Sequence, residues 1–176
     1  DNVFIGHTAG GGEWANNASN YNVGVGNYVM DYVMNSASNN TAMGHNALGG
    51  LNQGSDNVCI GYGAMNGSMA GETINNCVAI GSGALTGALA STDGTDLASG
   101  TVAIGKSALA ALQDGAGNIA IGFNAADSLE EGDNNTCIGV NALGQAGGTD
   151  GIDMNVAVGN YSMAGTNVGA ANNVAV

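Results

Sequence analysis

The chain contains no proline and one basic residue, Lys106, among 176. Without proline it is neither collagen nor a proline-rich linker. With a single cation it cannot assemble the basic patch that displaces counterions from nucleic acid, and attraction to anionic lipid is disfavoured for the same reason. Fourteen acids leave a formal charge of -13, enough to keep a long repetitive β surface solvated and to discourage side-by-side aggregation. Aromatics are scarce, at 5%, although 44% of the chain is hydrophobic. The apolar content is mostly Ala and Val, which suits thin layers rather than one thick core. No run of eighteen apolar residues and no signal-peptide pattern is present. Cys59, Cys77 and Cys137 lack metal-ligand spacing and read as small buried apolar residues.

What the chain has is glycine, 32 residues of it, placed periodically. Ten times the sequence writes a version of Asn-Val-Ala-Ile-Gly, closing on Gly6, Gly26, Gly44, Gly61, Gly81, Gly105, Gly122, Gly139 and Gly159, with a last copy ending at Val176. Spacings between these glycines run from 17 to 24 residues. Self-similarity at that period marks a solenoid, whose repeats bury their apolar faces by stacking. The expectation is an all-β, parallel β-solenoid of about ten rungs over residues 1–176, a single repeat region excerpted from a longer fibre.

With the closing glycine numbered zero, positions minus three and minus one are β-branched almost throughout and share one face of a short strand. Alternation assigns that face to the inside of the coil. Position minus two lies on the other face and is small: Ala42, Cys59, Ala79, Ala103, Ala120, Cys137, Ala157. A solvent-facing column would be polar, so this one reads as an inter-chain seam against another copy of the chain. Phe4 breaks the column, which suggests that the space widens near the first repeat. After the glycine, Ala at plus three and Leu or Met at plus four predict a second strand, followed by a longer return turn. Position minus four is Asn2, Asn22, Asn40, Asn57, Asn118, Asn135, Asn155 and Asn173, an expected asparagine ladder with amides stacked about 4.8 Å apart. The closing glycines read as positions of positive φ or close backbone passage.

The strings Asn40-Thr-Ala-Met-Gly-His-Asn-Ala-Leu48, Asn57-Val-Cys-Ile-Gly-Tyr-Gly-Ala-Met65 and Asn135-Thr-Cys-Ile-Gly-Val-Asn-Ala-Leu143 resemble the "NTAIGYNAL" repeat of phage tail fibres and related bacterial surface proteins. They are also similar to the "SVAIG" repeat of trimeric autotransporter adhesin heads. The resemblance covers the whole chain. It implies a left-handed parallel β-roll, three chains side by side in a homotrimer, and surface attachment from an extracellular position on a virion or a bacterial cell.

Few residues point to chemistry. His7 and His45 sit just after their glycines with no Ser or Cys partner, so no enzyme activity is expected. Ile-Gly-x-x-Ala-Leu mimics the hexapeptide of β-helix acyltransferases but occurs once per rung instead of three times. Asp93/Asp96, Glu130/Glu131/Asp133 and Asp150/Asp153 offer oxygens of the kind Ca²⁺ takes, yet match no calcium loop and read as solvated charge; no cofactor is expected. Tyr28 and Tyr161 share position plus two, and Tyr62 and Phe123 share plus one; such rows bind sugars or pack between chains. Trp14, in an inserted turn, is the candidate for contact with a cell-surface glycan or protein receptor. The reading is a structural, adhesive fibre segment. A self-assembling extracellular filament is the alternative, and an ice-binding solenoid is disfavoured because Thr is scattered.

Overall fold

A three-residue strand sends either two side chains or one into the interior, and the width of the interior decides which. The computed structural model describes residues 1–12, 18–32, 34–67, 69–87, 98–144, 152–165 and 171–176. Its strands in chain order are β1 (Val3–Ile5), β2 (Val23–Val25), β3 (Ala37–Ser38), β4 (Thr41–Met43), β5 (Leu51–Ser55), β6 (Val58–Ile60), β7 (Met69–Thr73), β8 (Val78–Ile80), β9 (Val102–Ile104), β10 (Ile119–Ile121), β11 (Thr136–Ile138), β12 (Val156–Val158) and β13 (Val174–Ala175). No helix occurs among the described residues. Ten strands form one parallel sheet in the order β1-β2-β4-β6-β8-β9-β10-β11-β12-β13, and β3-β5-β7 form a second. The chain is therefore a parallel β-solenoid. Pairing in the long sheet joins equivalent repeat positions, as in Ala103 with Ala120 and Cys137 with Ala157. Insertions do not disturb this register, since β8 and β9, 24 residues apart in sequence, still pair Val78 with Val102.

The interior is narrow, and it takes the single small side chain. Ala42, Cys59, Ala79, Ala103, Ala120, Cys137 and Ala157 are fully buried inside one chain, against Ala at plus three and Leu or Met at plus four. The β-branched columns face outward: Val3 is 53% exposed, Ile5 60% and Ile121 36%. The expectation is thus inverted. The small-residue column is not an inter-chain seam, and the Val/Ile columns do not line the coil. Phe4 confirms the volume rule by compensation. Its ring occupies the space a Cβ would need at Gly10, which replaces the Leu or Met of other rungs, and at Gly24 in the next rung. The space does not widen there; neighbouring side chains are deleted to make it.

No second strand follows the closing glycine. Residues zero to plus four form turns, with positive φ at plus two and plus four, as at Asn46 (60°) and Leu48 (53°). A third left-handed corner lies at minus five, as at Asn39 (59°) and Asp56 (63°). Each corner turns an N–H along the axis into the neighbouring rung: Asn46 to Asn27 O, Leu48 to Ala64 O, Asn39 to Asn20 O. Left-handed backbone costs an ordinary L-residue about 1–2 kcal/mol, and an interstrand hydrogen bond at each corner offsets it. The return stretch, expected as a turn, pairs through β3, β5 and β7 and through an Asp114–Glu131 bridge. In the 17-residue repeats this side passes through Gly54, Gly115 and Gly132, at φ of 132°, 128° and 155°, where the next rung's backbone carbonyl (Ile74, Gly132 and Ile152 O) occupies the place of a Cβ. The closing glycines obey the same constraint: a Cβ on Gly105 would meet the carbonyl of Gly122.

The asparagine ladder is present and fully bonded. Asn135 Nδ2 donates to Asn118 Oδ1 (3.0 Å) and to Ile152 O (2.6 Å), while its Oδ1 accepts from the N–H and Nδ2 of Asn155, both at 3.0 Å. The same pattern joins Asn2, Asn22, Asn40 and Asn57, and Asn155 and Asn173. Cys77 and Thr101 interrupt it. Cys77 N–H still donates to Asn57 Oδ1, and Thr101 Oγ1 accepts from Asn118 N–H. A second ladder, at minus six, runs with opposite polarity: Asn20 N–H donates to Ser38 Oγ, Ser38 N–H to Ser55 Oγ, Ser55 N–H to Asn75 Oδ1, and Asp133 N–H to Asp153 Oδ1.

Two outcomes follow from this geometry. Asn135→Asp removes both Nδ2 donors and sets oxygen against oxygen in a buried site, so it should cost about 3–5 kcal/mol in urea unfolding, whereas exposed Asn134→Asp, at a corner Asp accepts, should be near neutral. Met154 is 53% exposed with φ of 56°. Met154→Asn should raise stability by about 0.5–1 kcal/mol by relieving left-handed strain, seen as a higher melting temperature.

Candidate functional site

Four surface or core features carry chemistry, and the fold sorts them onto separate sides. The largest is the outer face of the ten-stranded sheet. Minus three and minus one project from every strand, so Val, Ile, Thr and Met stand in two uncharged columns along the axis. Met43 is 51% exposed, and Ile60, Ile119, Ile121 and Ile138 are also exposed. Scattered exposed apolar residues are ordinary, but a contiguous apolar strip running the length of a chain marks an interaction surface.

Beside this face runs a row at plus one and plus two. His7, Tyr28, His45 and Tyr62 touch in sequence, with ring centroids 5.3, 5.5 and 5.4 Å apart. The first two contacts are edge-to-face and the third is stacked. Placing one ring per rung makes these side chains a packed row along the axis, in which only His45 and Tyr62 meet face to face. Farther along the same row Lys106 lies over Phe123, 5.8 Å from the centroid. Tyr161 is exposed. His7 and His45 are thus aromatic neighbours in a packed row; His7 Nδ1 lies 2.9 Å from Thr8 Oγ1 and His45 is flanked by tyrosines.

The return side carries the acids. Asp114 and Glu131 pair as neighbours, and Asp133 and Asp153 accept backbone N–H groups from Ala116 and Asp133. Among the described residues no three His, Cys, Asp or Glu side chains converge as a metal site. Trp14, Asp93, Asp96 and Asp150 lie outside the described residues.

Cys59, Cys77 and Cys137 are free and buried, as expected of small core residues. Burial pushes the thiols up, to about 11 for Cys77 and about 12 for Cys137, and well above the usual range for Cys59, which rests 3.4 Å from Met65 Sδ. A thiolate is what reacts, so these thiols are quiet.

Sequence reasoning found the glycines, the asparagine ladder and the buried cysteines. It missed the outward apolar face, the His–Tyr alternation and the second ladder. The second ladder had a readable signal: minus six is a short acceptor at Asn20, Ser38, Ser55, Asn75, Ser99, Asp133 and Asp153, with Ala116 the exception.

The native protein should therefore not react with a thiol-specific alkylating agent at pH 8, and should react at all three cysteines in denaturant. Because the folded-state values lie above the unfolded value of 9.0, their contribution to stability is complete below that pH and declines as pH rises toward 11–12. Thermal melting across that range should show the decline. No family model, curated protein or solved structure matches this chain.

Proposed function

We propose that the chain is a segment of a structural, adhesive fibre, a stiff rod that extends or presents an attachment surface outside a virion or bacterial cell. The observation that carries this reading is the uninterrupted parallel ladder, ten strands in one register despite repeat lengths of 17 to 24 residues. At one hydrogen-bonding step per strand, such a ladder spans about 45 Å. The buried asparagine column resists bending, because any splaying of rungs breaks side-chain and backbone bonds together. Acidic residues on the return side suit a surface that stays solvated along a repetitive fibre.

In this reading the roll is left-handed and three copies stand side by side, as the resemblance to tail-fibre and adhesin repeats implies. Three copies of any loop contact then act together, raising avidity without new contacts. Turn insertions, including the one that carries Trp14, are the natural place for receptor contact. The work is mechanical and multivalent.

Immunogold labelling of the particle or cell that bears this chain should mark thin surface projections. Excess soluble protein should compete with its attachment. Label confined to the interior, with no competition, would overturn the proposal.

A further inference from the structure

Three side-chain columns run along the axis, and all three are interrupted at the rungs of β8 and β9. The first is the asparagine ladder. At a regular junction the backbone N–H and Nδ2 of one amide both reach the Oδ1 of the next, as from Asn135 to Asn118 at 2.9 and 3.0 Å. Cys77 and Thr101 stand in this column between Asn57 and Asn118, so no amide joins amide there. Thr101 N–H turns back within its own rung to Ala98 O, at 3.2 Å. The second column is the aromatic row, which stops at Tyr62, passes Ser82 and Gly83, and resumes with Lys106 over Phe123. The third is the ladder at minus six, where Ala116 offers Ser99 no side-chain oxygen. What continues through this level is backbone pairing: Val78 N–H to Thr101 O (2.9 Å), Gly105 N–H to Ile80 O (2.7 Å) and Ser107 N–H to Ser82 O (3.0 Å).

We infer that these rungs form a compliant joint, where the rod bends and opens before it unfolds, between two stiffer blocks. One block holds the amide run that ends at Asn57, the other the run that begins at Asn118. Separating two rungs in either block breaks backbone and amide bonds together; at the joint it breaks backbone bonds alone. Regions with fewer such bonds open at lower free energy than the whole chain. The rung itself does not forbid an amide. Cys77 Sγ lies 3.0 Å from Ala98 O, the counterpart of the Ile152 O that accepts from Asn135 Nδ2. A joint of this kind gives a rod one defined place to flex while each block keeps its register. It belongs to the single chain, and stands or falls independently of any role in attachment.

Native-state hydrogen exchange tests the joint directly. The amides of Val78, Gly105 and Ser107 bridge β8 and β9; those of Thr41 and Gly44 in one block, and Ile119 and Gly139 in the other, make equally short backbone bonds. The joint amides should be protected at least about tenfold less than the block amides. The thiols give a second reading, since Cys77 lies at the joint and Cys137 within a block, and both are buried. In urea below the unfolding midpoint, Cys77 should be alkylated at least about tenfold faster than Cys137. A variant carrying Cys77→Asn and Thr101→Asn restores the amide column and should raise protection at Val78 and Gly105 to the level of the blocks. If that variant fails to fold, the native exchange pattern and the alkylation ratio still decide. Equal protection at joint and blocks, equal alkylation of Cys77 and Cys137, or a folded variant with unchanged exchange overturns the inference.

Discussion

The backbone hydrogen bond between successive rungs governs this molecule. Rungs sit one such bond apart, so nothing bulkier than a backbone atom fits between them. A Cβ at Gly6, Gly26 or Gly44 would overlap the next rung's carbonyl, and the glycine is required there. At the corners the constraint takes another form. Residues such as Leu48 and Asn39 turn left-handed so that their N–H groups point along the axis and find acceptors in the adjacent rung. Backbone polar groups buried without partners are costly, and these corner bonds supply partners for the groups that the turns release.

Within that frame the asparagines solve a local problem. At minus four the chain enters a strand from a corner, and a buried amide there satisfies groups in two rungs at once. A buried polar side chain usually weakens a core unless every donor and acceptor is matched. Here the matching repeats, so each amide is the partner of the next. The second ladder at minus six, of opposite polarity, supports the far side of the same corner. Together they link rungs by bonds that act along the axis, the direction in which a fibre bears load.

The interior, by contrast, is modest. Alanine and cysteine from the sheet meet alanine and leucine or methionine from the turns, leaving room for nothing larger unless a neighbour shrinks, as at Phe4, Gly10 and Gly24. A coil this thin cannot hold its larger β-branched residues, so it displays them. Charge follows the complementary rule: the sheet face has none, and the return side carries Asp114, Glu131, Asp133 and Asp153. The rod is therefore amphipathic, with an uncharged apolar side and an acidic side suited to water.

Much of the architecture was readable from residues alone. The glycine period, the parallel register and the asparagine ladder are properties of columns, and columns are visible in a self-similar sequence. Side-chain alternation also showed that minus three and minus one share a face opposite minus two. Alternation carries no sign, however, and cannot say which face is inside. Large apolar residues ordinarily go inward, so Ile104 and Ile121 were assigned to the core and Ala103 and Ala120 to a seam. The tertiary structure decided otherwise, because the space between the sheet and the turns is set by Ala108 and Leu109 across from it and admits only a small side chain. It also decided that the stretch after each glycine is a run of left-handed corners and that His7, Tyr28, His45 and Tyr62 become neighbours, since only the stacking of rungs brings residues 17 to 21 apart into contact.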